Sequence, residues 1–186
     1  MPVLVAIRLK VDGGKISEVE STVVRSREEG MIFNPAAITQ ASAAMNISPA
    51  PEQRNTREDM IRLALLYPEG LRVGSFVTAD AQFAPDAYRF ENGQLMAGPG
   101  CSFIPGCDKI REQRLPTLAG IQARVAAVDE EQGIVWLRMN FGPGSLMRGE
   151  GELSVWEMFK IYDGRINAVE AFMEVTPANT PFVWEY

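Results

Sequence analysis

The chain has no histidine among its 186 residues. That absence removes Ser-His-Asp and Cys-His catalytic arrangements, together with nearly all histidine-containing zinc, copper and non-haem iron sites. Cysteine is scarce too: two residues are too few for a zinc site built from four cysteines. There is no run of 18 apolar residues, so no membrane span is expected. The opening MPVLVAIRLK has no positive stretch followed by a long apolar one. No signal peptide is read there, and a cytoplasmic location is expected. Positive charge is also short. With 18 Lys and Arg against 24 Asp and Glu the net charge is −6, which argues against a nucleic-acid partner. Acid–base chemistry falls to Asp, Glu, Lys, Tyr, Arg or water, and neither a metal nor a cofactor is expected.

What is present suits a soluble globular protein. Apolar residues make up 46% and charged residues 23%, and the length fits one domain or one and a fraction. Cys101 and Cys107 share the loop GPGCSFIPGC, spaced too widely for a CxxC redox motif. Two reduced thiols are one reading, and a local disulfide is the other.

Residues 3–11 and 16–24 read as strands joined by a tight turn at Asp12-Gly13-Gly14-Lys15. Residues 34–54, with Pro35, Pro49 and Pro51, look like a linker with a short helix in AAITQASAAM. Thr56-Arg57-Glu58-Asp59 nearly makes a capping box. A helix with Met60, Ile61, Ala64 and Leu65 on its core face should follow, kinked or broken at Pro68 and Gly70, with a second helical stretch through LRVGSFV. Residues 81–93 read as an irregular entry into a short strand and 94–107 as loop. Residues 108–114 read as a helix capped by Asp108. From Gln122 the pattern is β. QARVAAV and IVWLRMNF form a hairpin across the solvated turn at Asp129-Glu130-Glu131, with Val135, Leu137, Met139 and Phe141 on one apolar face and Trp136, Arg138 and Asn140 on the other. The loop GPGSLMRGEG lacks the pattern of a phosphate loop. A last hairpin, LSVWEMFKI and INAVEAFMEV, turns at Asp163-Gly164, and the tail is expected to be pinned by Phe182 and Trp184. Met45, Met60, Met96, Met139, Met147, Met158 and Met173 are read as core filling.

The two hairpins match at a shift of 150 residues. Between 3–20 and 153–170 the identical pairs are Val5/Val155, Lys10/Lys160, Gly14/Gly164, Ile16/Ile166, Val19/Val169 and Glu20/Glu170. Either two β-hairpins have converged, or the first is the end of an earlier unit. A lone hairpin is marginal, so it must pack on the second unit or on another subunit.

The phrases FENG, AAVDEEQGIVW and EMFKIYDGRI, set in this order of elements, resemble the nuclear-transport-factor-2-like (polyketide-cyclase-like) superfamily. They look most like an uncharacterised branch, found in fungi and bacteria, with two such units in tandem. The resemblance implies three parts: 1–33 as the remnant of a first unit, 34–54 as linker, and 55–186 as a complete α+β cone. In such a cone a curved antiparallel sheet wraps round helices and opens into a pocket. Relatives in that superfamily include ketosteroid isomerases, dehydratases, epoxide hydrolases, polyketide cyclases and a formaldehyde lyase. Others only bind or assemble, so the fold does not choose the function.

Candidate site residues follow from strand alternation. With a two-residue turn at Asp163-Gly164, pairing outward sets Ile161 against Ile166, Phe159 against Ala168, and Glu157 against Glu170. Two carboxylates would then face each other at about 5 Å between Cβ atoms on an apolar face. Burial and repulsion would raise a pKa, as a general acid or base needs. A different register would move them apart, and a structural network with Arg138 or Arg124 would neutralise them. Tyr88 is a candidate oxyanion donor, because in resembling proteins its strand enters the pocket. Alternation sets Arg89 and Glu91 on the face opposite Tyr88, Phe90 and Asn92. Asp86 is a further candidate base. Arg138, beside Trp136, could orient a carboxylate or phenolate, or could mark a subunit interface.

The expected function is a cofactor-free acid/base enzyme (isomerase, dehydratase or lyase) for a small apolar, possibly aromatic substrate. Glu157, Glu170 and Tyr88 would be catalytic, and Arg138, Arg124, Asp86, Asn92 and Trp136 would bind. The alternative is a non-catalytic binding or oligomerisation domain. A homo-oligomer, with a dimer favoured, is expected through the sheet face away from the pocket, the N-terminal hairpin adding contacts.

Overall fold

A computed structural model describes residues 2–38, 43–143, 145 and 151–181. Its centre is a mixed six-stranded sheet built from β3 (Phe83–Glu91), β4 (Gln94–Ala97), β5 (Gln122–Asp129), β6 (Ile134–Asn140), β7 (Glu152–Tyr162) and β8 (Arg165–Thr176). The strand order is β4-β3-β8-β7-β6-β5, with β3 and β8 parallel and the other neighbours antiparallel. β1 (Leu4–Asp12) and β2 (Lys15–Val24) form a separate two-stranded sheet. A short helix α1 (Arg27–Gly30) and a long helix α2 (Arg57–Val73) complete the α+β fold. Residues 39–42 of the expected linker helix, Met147, and the tail with Phe182 and Trp184 lie outside the described residues.

α2 starts where its cap predicts: the Thr56 hydroxyl accepts from the Asp59 N–H. It ends at Gly74, whose φ of 74° provides the left-handed cap that a Cβ would strain. The helix runs through Pro68 rather than breaking there. Its buried stripe is Met60, Leu63, Ala64, Tyr67 and Leu71. Ile61 is half-buried and Leu65 exposed, so the core face is rotated by about one residue from the expected one. Val135, Leu137, Met139, Val155, Phe159 and Ile161 supply the facing layer from the sheet, all buried. The expected irregular segment at 81–93 is mostly strand β3, and the expected helix at 108–114 shrinks to one 3-10 turn, Ile110–Glu112, with Lys109 at its cap. Cys101 and Cys107 are joined in a disulfide, the second of the two readings.

Four register shifts bend the sheet: one of several residues between Phe83 and Tyr88 against β8, and three of a single residue. Of these three, one falls between Arg89 and Phe90 against β4, and one at Ala126 between Val125 and Ala127. The third lies between Lys160 and Ile161, where Asn167 is the extra residue. Asn167 donates its amide to the carbonyls of Tyr162 and Arg165, tying the bulge to its turn. The connector before α2 is laced to this end of the sheet. Lys160, wholly buried, donates to the carbonyls of Ile47 and Gln132, and Asp163 N–H donates to the Gln53 carbonyl.

The Asn167 bulge corrects the expected pairing. Ile161 faces Ile166 as derived, but beyond the bulge Phe159 faces Val169 and Glu157 faces Ala171. Glu170 faces Met158 on the other side of the sheet. One extra residue has moved the rest of β8 to the opposite face.

Candidate functional site

A cavity of about 260 Å³ opens between α2 and the concave face of the sheet. Leu71, Leu115, Leu118, Phe141, Leu153 and Met173 give it apolar walls, and its polar groups are concentrated on Tyr67, Arg89, Glu91 and Glu157. Three strands position the two carboxylates. Glu91 on β3 pairs with Ala171 on β8, and Ala171 pairs with Glu157 on β7. The methyl of Ala171 therefore separates the carboxylates, with their Cβ atoms two strand spacings or about 10 Å apart. Arg89 is two residues before Glu91, on the same face. Its Nε lies 2.8 Å from Glu91 Oε1, and its Nη1 donates to the Tyr67 hydroxyl at 3.2 Å.

The electrostatics distinguish the two acids. Glu157 is 1% exposed, and burial pushes its pKa up to about 8, against the opposing pull of Arg89 and a hydrogen bond with Tyr67. It is therefore mostly a neutral acid at pH 7. Its Oε2 is buried and has no hydrogen-bond partner among the described residues. Glu91 is the carboxylate held against the guanidinium. Burial disfavours the charge on Arg89, but Tyr67, Glu91 and Glu157 outweigh that and raise its pKa. Burial likewise raises Tyr67 well above an ordinary phenol. A neutral carboxyl, a second carboxyl and the guanidinium paired with it thus share one cavity with apolar walls.

Of the expected site residues, only Glu157 enters this cavity. Glu170 lies on the convex face, beside Phe90 and Phe172 in a small cavity of about 80 Å³. Tyr88 is also on that face, edge-to-face with Phe90 at 5.4 Å between ring centroids. β3 alternates as expected, but the inward side is that of Arg89 and Glu91. Asp86 is exposed. Asn92 is wholly buried with its hydrogen-bonding capacity used. Its amide donates to the carbonyls of Gly30, Ile32 and Met173, and its Oδ1 accepts from Met173 N–H. It is a clamp between the segment after α1 and β8, with nothing left for a ligand.

Arg124, Arg138 and Trp136 sit together on the convex face. Arg124 pairs across to Arg138, and Arg138 to Trp156. The Arg138 guanidinium lies 5.0 Å from the Trp156 ring centroid, and Trp136 and Trp156 are 5.2 Å apart. Arg138 donates to the Ser154 hydroxyl and Arg124 is ion-paired with Glu20 of β2. The N-terminal hairpin lies over this region: Arg8 Nε donates to the carbonyl of the bulged Ala126 at 3.1 Å, and Thr22 to Glu174 at 2.9 Å. The sheet face expected to meet a partner subunit is thus met, in part, by the chain's own hairpin.

Tyr67 and the Arg89–Glu91 pair were missed as cavity residues. The signal for Tyr67 was the spacing Met60, Ala64, Tyr67, Leu71, a helical stripe that runs on past Pro68.

A family model matches residues 53–173, which hold α2, all of β3 to β7 and most of β8. The chain belongs to that family, described as Domain of unknown function (DUF8021). Among the described residues, its matched span contains every polar residue lining the cavity, and it excludes the N-terminal hairpin. No curated protein matches the chain. Among solved structures, a protein of unknown function with cystatin-like fold from Methylobium petroleophilum is 16% identical, with a TM-score of 0.45, over 68% of this chain and 82% of that one. A nuclear-transport-factor-2-like protein of unknown function from Shewanella baltica is 15% identical, with a TM-score of 0.39, over 67% of this chain and 100% of that one. An LEH-like epoxide hydrolase of M. tuberculosis is 19% identical, with a TM-score of 0.38, over 66% and 85%. The likeness is one of fold, and this DUF8021 member takes no activity from it.

Proposed function

We propose that this DUF8021 protein is a cofactor-free acid/base enzyme acting on a small, mainly apolar molecule that carries one reactive oxygen. The observation that carries the reading is the pairing, in one apolar cavity, of an acid neutral at pH 7, Glu157, with a carboxylate, Glu91, held by Arg89. A neutral carboxyl donates a proton to a leaving or developing oxyanion. A carboxylate accepts one from carbon or from a water. A buried acid with a raised pKa in the same cavity as a carboxyl paired with a guanidinium supplies groups for proton transfer in both directions. Arg89 would steady negative charge as it forms, and Tyr67 would hold Arg89 in place. Isomerisation, dehydration and retro-aldol-type cleavage each need this pair of groups. The cavity is at or below the lower end of ligand-pocket volumes, which favours a compact substrate.

The test is turnover by the wild-type chain across a panel of small enones, β-hydroxy ketones and aryl alcohols. Glu157→Gln and Glu91→Gln are each expected to lower turnover by about 100-fold or more, and Glu170→Gln to leave it unchanged. Turnover indifferent to both cavity substitutions would refute the proposal. Binding of panel members without turnover would favour the alternative, a non-catalytic binding domain.

A further inference from the structure

The two-stranded sheet wears its apolar side outward. Val5, Ile7, Leu9 and Val11 on β1 and Ile16 and Val19 on β2 are each between 41% and 60% exposed. Arg8, Lys10, Glu18 and Glu20 occupy the opposite side, less exposed, and form ion pairs among themselves. A sheet with one face in water ordinarily does the reverse.

The structure shows what kind of face this is. β1–β2 and β7–β8 match in geometry as well as in sequence. Both turn through two residues of positive φ: 56° and 76° at Gly13-Gly14, 52° and 68° at Asp163-Gly164. Both shift register at the same place, between Lys10 and Val11 and between Lys160 and Ile161, 150 residues apart. Beyond the shift, Leu9 faces Val19 as Phe159 faces Val169, and Ile7 faces Ser21 as Glu157 faces Ala171. A bulge at the same position in the two hairpins is far more specific than their shared turn. The outward positions of β1–β2 are therefore counterparts of the cavity-facing positions of β7–β8, which α2 and the core cover. The counterpart of Glu157 is Ile7, so the group for chemistry is gone and the apolar residues for packing remain.

We propose that this face is the contact through which two copies of the chain associate, hairpin against hairpin about a two-fold axis. A two-fold contact lays a surface on itself, so it tolerates no unbalanced charge. This face has none: Ser21 and apolar side chains make it up. Two such faces pack about 10 Å apart, as the sheets of a sandwich do. The exposed apolar area is roughly 600 Å² per copy, at the upper end of what a monomer ordinarily leaves in water. Doubled, it is about 1,200 Å², the lower edge of stable specific interfaces.

Sedimentation equilibrium over a range of micromolar concentrations tests this. The wild-type chain is expected to approach twice its 20.5 kDa mass and to dissociate on dilution. Leu9→Glu and, separately, Ile16→Glu place like charges across the contact and are expected to weaken association by about 100-fold or more. Both positions are exposed, so unchanged circular dichroism and thermal unfolding at low concentration should accompany the loss. Glu157→Gln should not affect association, which separates this result from the fate of the catalytic reading. A monomer at every concentration, as when a different polypeptide covers the face, would overturn the proposal. So would a larger assembly, or a dimer that persists in either variant.

Discussion

Glu157 is a carboxyl group in the wrong solvent, and that has a consequence for stability. Its folded pKa is raised to about 8, above that of the unfolded chain. Between those two values the unfolded state has released the proton and the folded state still holds it. The unfolded state binds fewer protons there, so stability falls as pH rises. The stabilisation is fully present at pH 4 and is lost as pH passes through 8, at up to about 1.4 kcal/mol per pH unit. Urea unfolding of Glu157→Gln should show a shallower decline between pH 5 and pH 8 than wild type. Equal slopes would mean that Glu157 titrates normally. Asn92 makes the opposite case, a buried polar residue with every bond made. Asn92→Ala strands the carbonyls of Ile32 and Met173 and the Met173 N–H, each worth about 1 kcal/mol or more when buried, and also places alanine at φ 43°, where asparagine is better tolerated. A loss of about 3 kcal/mol or more in chemical denaturation is expected. At this scale the sequence was half legible. Glu157 was identifiable as an acid among apolar strand neighbours. The buried ion pair was not, because Arg89 reads as a surface residue until Glu91, Tyr67 and Glu157 are seen around it. Tyr88 is a candidate because in resembling proteins its strand enters the pocket, yet its ring meets Phe90 edge-to-face on the convex side.

At the scale of elements, hairpins were legible and bulges were not. Asp-Gly and Gly-Gly turns fix the first pair of residues across a hairpin, and the derived Ile161–Ile166 pair follows from them. A bulge depends on what lies above and below the sheet, so nothing in the period-2 pattern announces it. Asn167 is the one hint: its amide can bond its own turn, which a longer side chain would do poorly. Deleting Asn167 removes the bulged residue, so Ala168 still opposes Lys160 and Val169 still opposes Phe159, now in a regular ladder. The core face of 168–176 is kept, and the deletion variant is expected to retain a single cooperative thermal transition. Asn167→Ala, which retains the extra residue but not its bonds to the turn, should fold with a loss of about 1–2 kcal/mol. Loss of the cooperative transition in the deletion variant would show that the bulge does more than set the register. Of the kink or break expected at Pro68, the break does not occur, for a related reason. Pro68 is buried in the helix, where packing against the sheet outweighs the missing N–H.

For the whole molecule, the question is what keeps the N-terminal hairpin on the cone. The attachment is polar at its centre. Glu20, 9% exposed, lies between Arg8 of its own sheet and Arg124 of β5. Arg124 directly opposes Arg138 across the strands, a like-charge pair that needs a carboxylate nearby. Apolar burial by Leu4, Ala6 and Val24 flanks this network. Removing Glu20 therefore does more than delete one ion pair. It leaves Arg124 and Arg138 adjacent, with Glu174 the remaining acid acting on Arg138, and breaking this half-buried, charge-assisted bond is expected to cost about 2–3 kcal/mol. That cost falls on docking rather than on the cone, whose core lies on the far side of the sheet. In Glu20→Ala, amide exchange in residues 4–24 should quicken by about 100-fold or more, while β6 and β7 retain wild-type protection. Uniform loss across all strands would mean that hairpin and cone unfold as one cooperative unit. Retained protection in residues 4–24 would mean that the apolar contacts hold the hairpin without the charge network.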